Sequence, residues 1–569
     1  MSELSAEGVS PESPANAGSR RPRVFQTTCS LLPTWTDWRP AVRAPGGDLL
    51  AGLVVALVAL PLALGFGISS GLGAAAGLAT AVVAGAIAAI FGGSRFQVTG
   101  PTGAMTVVLV PIAAQHGATG VLTVGLLAGL ILVVLAFAGI GRAVRYMPAP
   151  VIEGFTAGIA VVIALQQIPT ALGISDAEGE EVWRSAFDAV LRFASHPSLT
   201  EPAIALLVAA VILAGGRHFP KLPFALATVA VATAAARLFD LDVAKIGALP
   251  QGLPAPSLSF LQLSDVPALL APALAVAALA ALESLLSATA ADSMAVGTRH
   301  NPDRELLGQG LSNIAAPLFG GVPATGAIAR TAVNVRSGAR TRLAALSHAV
   351  ILAGIAYLAT GLVAEIPLAA LAGVLLATTV RMVETASVRA IFRATRADAL
   401  VLALTFAVTV VFDLITAVAV GVGIAGVLAL RAVARSAKLE QVPLADTGDH
   451  AVEEHDLLRE HIVAYRIDGA VFFAAAHRFL LELAEVSDVK VVILRLSRVT
   501  ALDATGVLVL RDVIEKLQHR HITVLLSGTK AEHLQPLAAL GVAPDSDGLR
   551  RLFPTTPEAI RYARRLVIR

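Results

Sequence analysis

Charge is scarce in this chain. Asp, Glu, Lys and Arg make up 15% of 569 residues and the mean hydropathy is +0.75, whereas soluble domains carry roughly 25% charged residues. That deficit excludes a fold that is soluble throughout. A single cysteine, Cys29, excludes an intramolecular disulfide, and neither a haem attachment motif nor a metal-ligand cluster is present, so no cofactor and no metal are expected. Also missing are a catalytic triad and a nucleotide-binding loop, which argues against an enzyme; a nucleic-acid partner is not expected either. Alternating apolar and polar strand patterning is absent from the hydrophobic part, so its spans are helices and not a barrel. The stretch Met1 to Ser19 lacks a charged-then-apolar signal pattern, and its Ser, Pro, Ala and Glu content predicts a disordered cytoplasmic tail.

What is present is unevenly distributed. Runs such as Leu49 to Ile68 and Leu402 to Leu430 are almost free of charge, while residues after about 443 resemble an ordinary globular protein. Apolar segments begin near Asp48, Gly71, Pro101, Gly120, Pro150, Pro202, Leu222, Val266, Leu306, Ala324, Leu343, Ile366, Ala397 and Leu414, about fourteen spans in all. Basic residues test the threading, because loops on the cytoplasmic side carry excess Lys and Arg. With the N-terminus inside (Arg20, Arg21, Arg23, Arg39, Arg43), the inner loops hold Arg142 and Arg145; Arg217 and Lys221; Arg299 and Arg304; Arg336, Arg340 and Arg342; and Arg389, Arg393 and Arg396. Arg431, Arg435 and Lys438 follow the last span. Outer loops are mostly short or acidic (Asp176, Glu178, Glu180, Glu181; Asp240, Asp242), with Arg184, Arg192 and Arg237 as exceptions. Both termini are therefore expected in the cytoplasm, in an inner or plasma membrane. The expected organisation is a tail over 1–44, a transmembrane domain over 45–435, a linker over 436–455 and a soluble domain over 456–569.

Two short segments stand apart. Val98-Thr99-Gly100-Pro101-Thr102-Gly103-Ala104-Met105 and Gly320-Gly321-Val322-Pro323-Ala324-Thr325-Gly326-Ala327-Ile328 each open an apolar run too short to span. They share Thr-Gly-Ala near a proline and fall in the third and tenth spans, seven apart, which inverts the second copy. Short Gly- and Pro-interrupted segments at matching places in two halves point to a binding site at the membrane midplane. A helix that starts there offers unpaired N–H groups and a partial positive charge to an anion. Thr99, Thr102 and Thr325 can add hydroxyl donors, and Gly100, Gly103 and Gly326 allow close approach to the backbone beside Pro101 and Ala327. Arg330, inside the second half-helix, either supplies fixed positive charge or snorkels to the interface. Glu283 is the most conspicuous anomaly, a carboxylate in Ala-Leu-Glu-Ser-Leu-Leu-Ser. It can relay a proton, coordinate Na⁺ together with Ser287 one turn on, or pair permanently with Arg330. Glu153, near the start of the fifth span, reads as interfacial.

These residues carry a resemblance to the sulfate permease family, also called solute carrier 26. The matching features are Asp48-x-x-Ala51-Gly52 leading to Ala59-Leu60-Pro61-Leu62-Ala63, Gln97-Val98-Thr99-Gly100-Pro101-Thr102, Pro150-Val151-Ile152-Glu153-Gly154-Phe155-Thr156-Ala157-Gly158, and Arg330-Thr331-Ala332-Val333-Asn334 followed by Ser337-Gly338-Ala339-Arg340-Thr341. The resemblance implies a seven-plus-seven inverted repeat with core and gate domains, a site between the third and tenth spans, elevator-like alternating access and a homodimer. It implies transport of sulfate, bicarbonate, chloride or dicarboxylates, in some members with H⁺ or Na⁺. Na⁺-coupled bicarbonate carriers that look similar in the first span place Asp and Thr where Glu283 and Ser287 stand, so proton symport is the expected coupling.

From His461 the pattern changes to Val- and Ile-rich runs (His461 to Ile467, Val489 to Leu496, Ile522 to Ser527) alternating with helical segments Thr505 to Gln518 and Thr556 to Arg564, a small α/β layer. Leu502-Asp503-Ala504-Thr505-Gly506 sits between a strand and a helix start. This domain resembles the STAS fold shared with anti-sigma factor antagonists, where the hydroxyl at the position of Thr505 is phosphorylated by a partner kinase. A packing and regulatory role without phosphorylation, with a regulatory protein as partner, is the plainer expectation. Secondary active anion transport is thus favoured over an uncoupled anion channel and over a membrane-anchored signalling protein.

Overall fold

The computed structural model describes residues 31–43, 45–142, 147–174, 177–178, 181–218, 224–295, 299–412, 414–436, 438–442, 461–471, 489–542 and 551–568. Cys29, Arg145, Asp176, Glu180, Lys221, the expected N-terminal tail up to residue 30 and most of the expected linker lie outside them. Two compact units are distinguished, Met1–Val422 and Gly423–Arg569.

The first unit is helical. A short helix α1 (Trp35–Arg43) precedes α2 (Pro45–Ser69), α3 (Ala74–Phe91), strand β1 (Thr99–Gly100), α4 (Gly103–Phe137), α5 (Ala149–Ala171), α6 (Val182–Ser195), α7 (Thr200–His218), α8 (Phe224–Leu238), α9 (Val266–Met294) and α10 (Pro302–Leu318). Strand β2 (Thr325–Gly326), α11 (Ile328–Arg336), α12 (Leu343–Leu358), α13 (Thr360–Ala364), α14 (Leu368–Met382), α15 (Thr385–Ala394), α16 (Arg396–Val411) and α17 (Leu414–Ser436) complete it and lead into the second unit. Each of the fourteen apolar starts has its helix, because α4 breaks at Gly117 (φ 65°, ψ −168°) and supplies both the third and fourth spans. Only glycine enters that backbone region without strain. Seven helical segments among the described residues are long and apolar enough to cross a membrane, and α11, which opens the second short segment, has only nine residues. The amphipathic α6 and α15 were not expected. In α15 none of the residues is buried, and Arg389 and Arg393 stand on it instead of in a loop.

The helices sort into two groups. The first four spans pack with the eighth to eleventh, chiefly α4 on α9 and α10, α3 on α10, and α2 on α12; the fifth to seventh pack with the twelfth to fourteenth through α5 on α14 and α16, and α7 on α14. These are the expected core and gate. Without a hydrophobic force between helices in lipid, close backbone approach at small residues does the packing. A Cβ at Gly77 would stand 2.0 Å from the Ala63 carbonyl oxygen, and one at Gly129 would stand 2.7 Å from that of Gly310.

The second unit is a five-stranded sheet in the order β3 (Lys438–Val442), β4 (Ile462–Val471), β5 (Val491–Leu502), β6 (Thr523–Ser527) and β7 (Leu552–Phe553). Strands β3 and β4 are antiparallel and the rest are parallel, with α18 (Ala504–His519), α19 (Ala531–Ala539) and α20 (Thr556–Ile568) between and after them. Its parallel strands are apolar on both faces, as sheets covered by helices require. Val492, Leu494, Val524 and Leu526 pack with α18 on one side, and Ile493 and Leu525 pack with Ala559 and Ala563 on the other. This is the expected α/β layer.

Replacing Gly77 by Ala is expected to cost about 1–3 kcal/mol through overpacking and to lower the unfolding temperature of the purified protein by a few degrees. Gly354→Ala, where a Cβ would meet nothing within 4 Å, should leave it unchanged. Equal behaviour of the two variants would contradict the proposed α2–α3 contact.

Candidate functional site

Strands β1 and β2 pair antiparallel, with Thr99 opposite Gly326 and Gly100 opposite Thr325. Both carry the dipeptide Thr-Gly, so the pair is self-complementary and an approximate two-fold axis passes between them. The Ala327 amide extends the ladder by donating to the Val98 carbonyl at 2.9 Å. The repeat expected from sequence aligned Thr102-Gly103-Ala104 with Thr325-Gly326-Ala327, and the pairing corrects this by setting Thr99-Gly100 in that role. The cause is Pro101, which has no N–H to donate and so ends the ladder. Pro101 and Thr102 then intervene before α4, whereas only Ala327 intervenes before α11.

The pairing places the N-terminal ends of α4 and α11 together, each with unpaired N–H groups and partial positive charge. Thr102 is the N-cap of α4, and its hydroxyl accepts from the Met105 amide at a long 3.4 Å. Ala327 caps α11 without a side-chain bond. Between the two ends lies Glu283 from α9. Its Oε2 accepts from the Thr102 hydroxyl at 2.9 Å and the Thr325 hydroxyl at 2.6 Å, and the two hydroxyls are 3.0 Å apart. Both threonines are buried while Glu283 is only partly so.

Arg330 is 1% exposed. Its Nη2 donates to the Pro101 carbonyl at 2.6 Å, and Nη1 lies where a Cβ on Gly100 would come within 2.5 Å. The side chain does not snorkel, and among the described residues no ion pair joins it to Glu283. A desolvated guanidinium thus sits against β1, adding whole positive charge to the two partial charges of the helix ends.

Not every expected residue joins this cluster. The Thr99 hydroxyl turns toward α10 and accepts from Gln309 Nε2 at 2.8 Å. Ser287 turns toward α11, donating to the Thr331 hydroxyl at 3.1 Å, which in turn accepts from the Val98 amide at 3.1 Å. Gly103 lies beneath Phe66 and Ile163. Glu153 accepts from Ser387 at 2.7 Å. Thr505 is exposed in the first turn of α18, in the other unit, beside the capping Asp503, whose carboxylate accepts from the Gly506 amide at 2.7 Å.

Several supports escaped sequence reasoning. Ser284 accepts from the Gly326 amide at 2.9 Å. Asn313 clamps Ala324 from both sides, accepting from its amide at 2.8 Å and donating to its carbonyl at 2.9 Å. Glu305 accepts from the Gly93 and Ser94 amides and from Gln309. Buried Gln97 packs against Gly326. The signal for them was a polar residue in an apolar helix, but neutral amides and hydroxyls there are too common to single out.

The sulfate permease family model matches residues 46–405, and a STAS domain model matches residues 457–559. The chain belongs to the sulfate permease family. It is accordingly a multi-pass membrane protein that transports anions, and not an enzyme. YvdB of Bacillus subtilis (strain 168), provisionally named a sulfate transporter, is 34% identical over 87% of this chain and 93% of its own length. The bicarbonate transporter BicA of a Synechocystis species is 31% identical over 88% of this chain and 92% of its own. The solved transmembrane domain of a cyanobacterial BicA covers 66% of this chain and 97% of its own at 33% identity, with a TM-score of 0.61. Murine solute carrier 26 member A9, solved in an inward-facing state, matches 97% of this chain and 96% of its own with a TM-score of 0.83 at 17% identity, which establishes the shared fold.

Gly100→Ala is expected to push the Arg330 guanidinium out of place and weaken anion binding about tenfold, read by isothermal titration of the purified protein with sulfate and bicarbonate. An unchanged affinity would detach Arg330 from the anion site.

Proposed function

We propose that this transporter is a proton-coupled symporter of a small anion (sulfate, bicarbonate or a dicarboxylate), with the anion held between the N-termini of α4 and α11. Thr99, Gly100, Pro101, Thr102, Gly103, Thr325, Gly326, Ala327 and Arg330 form the anion pocket in this reading, and Glu283 takes the coupling proton. The relatives named for sulfate and for bicarbonate support both substrates without choosing between them.

The observation that carries proton coupling is the triangle of Glu283 Oε2 and the Thr102 and Thr325 hydroxyls, with edges of 2.9, 2.6 and 3.0 Å. An ionised carboxylate leaves two hydrogens for three edges. A protonated one supplies the third, so every edge is satisfied in a closed ring. The same proton removes a negative charge next to a pocket built for an anion. Like charges roughly 5 Å apart repel by about 3 kcal/mol at an effective dielectric constant near 20, so proton and anion favour each other's binding. Ser287 is turned toward Thr331 on α11 while Glu283 faces the two threonines, so the two do not share a hydrogen-bond cluster, which supports H⁺ over Na⁺ as the coupling ion.

The transporter works in this reading as a homodimer by elevator-like movement of the core against the gate. It sits in an inner or plasma membrane with both termini in the cytoplasm, as the basic loops indicate. The STAS domain is a docking point for a regulatory protein. Thr505 stays unphosphorylated in this reading, since Asp503 already occupies the helix end and would repel a phosphate.

Glu283→Gln should keep anion binding while abolishing accumulation driven by an inward proton gradient in proteoliposomes; retained proton dependence would remove the relay. Arg330→Ala should weaken binding roughly a hundredfold, the equivalent of about 3 kcal/mol, in a protein that remains folded. Radiolabelled uptake of sulfate, bicarbonate and fumarate, compared under proton and Na⁺ gradients, decides the substrate and coupling. Accumulation under Na⁺ alone would make Glu283 and Ser287 a cation site. Without accumulation under either gradient, downhill equilibration would make the protein a channel and no movement at all a membrane-anchored signalling protein.

A further inference from the structure

A second cationic feature lies away from the anion site. Helix α1 and the turn from α11 into α12 border a cleft of about 490 Å³, lined by Thr36, Arg39, Arg43, Asp48, Arg340 and Thr341. Among the described residues none of the three guanidinium groups has a carboxylate partner. The one acid present is already engaged: Asp48 Oδ1 accepts from the Arg340 and Thr341 amides at 2.7 and 3.1 Å, and Oδ2 from the Thr341 hydroxyl. It is buried at 2% exposure, and against its single negative charge the three arginines leave the cleft an excess of positive charge.

The depth of the cleft is fixed by α2, which begins at Pro45 and becomes apolar from Leu49. Arg39, Arg43 and Asp48 therefore lie where a span meets the layer of lipid phosphates. Helix α1 has the build of a helix that rests on that layer, with Leu32 just before it and Trp35 and Val42 within it exposed at 51%, 72% and 68%. Tryptophan concentrates at headgroup level, and an amphipathic helix with apolar and basic residues lies in the interface plane. It is also pinned. Asp37 meets Arg304 at 2.9 Å and accepts from the Thr34 amide at 3.0 Å. Burial raises the Asp37 pKa, but these two partners outweigh it and hold the carboxyl below its ordinary value. The pair thus stays ionised above the usual carboxylate range and weakens only as pH falls through the lowered value.

We propose that this cleft binds the phosphate of an anionic phospholipid in the leaflet at the start of α2. Three arginines without a carboxylate partner among the described residues supply the charge and the fork geometry for a phosphate, and the exposed Trp35 and Val42 lie alongside the acyl chains. A lipid is favoured over a soluble phosphate because the apolar side chains around the cleft face the bilayer.

The test is a titration of the full-length protein in detergent with phosphatidylglycerol, phosphatidylcholine and inorganic phosphate, read by unfolding temperature and by lipid retained in native mass spectrometry. Saturable stabilisation by phosphatidylglycerol alone is expected. Each of Arg39→Gln, Arg43→Gln and Arg340→Gln should weaken it about fivefold, and the triple variant about a hundredfold, whereas the triple Lys variant should retain most of it. Equal responses to both lipids, a triple Gln variant that titrates like the parent, or full stabilisation by inorganic phosphate would each overturn the proposal.

Discussion

The antiparallel pairing of Thr99-Gly100 with Thr325-Gly326 is the constraint on which the membrane unit depends. A half-helix that starts within the bilayer exposes backbone groups that lipid cannot satisfy, and each costs several kcal/mol if left unpaired. Two such segments solve the problem jointly. Their extended approaches satisfy one another as a ladder, and only the helix ends remain open. Because each threonine faces a glycine, there is room on one face for Arg330 against Gly100 and on the other side of the dipeptide for Gln97 against Gly326. A bulkier residue at either glycine would meet a buried side chain.

The ladder is held in place from outside. Asn313 fixes the residue before β2 through both its amide and its carbonyl, and Gln309 fixes the Thr99 hydroxyl. Both glutamine and asparagine stand on α10, one helical turn apart. Glu305, a turn earlier, closes the series by accepting from Gln309 and from the backbone at the end of α3. One helix thereby sets the position of both approaches. Ser284 and Ser287 extend the support from α9, one to the Gly326 amide and one to Thr331. Glu283, just before Ser284 in sequence, is left free of such duty and faces the two threonine hydroxyls.

This division explains what the sequence could reveal. Hydropathy located the helix starts because length and apolarity are bilayer requirements, and Gly-Pro punctuation located the half-helices because few other residues allow a break at that depth. Glu283 and Arg330 stood out because ionisable groups are expensive in lipid. Ser284, Gln309 and Asn313 did not, since a hydroxyl or amide in a membrane helix can bond its own backbone and carries no anomaly. Indeed Asn313 donates to the Gln309 carbonyl as well. The register of the repeat was hidden for another reason: Thr-Gly occurs twice near the first half-helix, at Thr99 and at Thr102, and only the missing N–H of Pro101 decides between them. Amphipathic α15 was taken for a basic loop because three arginines in twelve residues satisfy the inner-loop rule whether or not they are helical.

The glycines also distinguish contacts within each helix group from those between the groups. Inside the core, an added Cβ would strike backbone: Gly77 meets the Ala63 carbonyl, Gly93 that of Asn301, and Gly308 the backbone of Gly92. Inside the gate the same is true, with Gly154 against the Leu402 carbonyl and Gly373 against that of Ala205. Across the boundary the neighbours are side-chain ends, with Gly65 against Leu375 and Gly103 against Ile163. Backbone interlocks cannot slide without breaking helices, while side-chain ends repack at modest cost. Each group is thus interlocked within itself, as the proposed elevator movement requires. The ladder, the carboxylate and the arginine all belong to the core, so a shift of the core relative to the gate carries the whole pocket with it. In the proposed movement an anion held by helix ends and a buried guanidinium would keep every one of those contacts. Phe66 would travel with Gly103 as part of the core, and what changes is the contact of Ile163, on the gate helix α5, with Gly103.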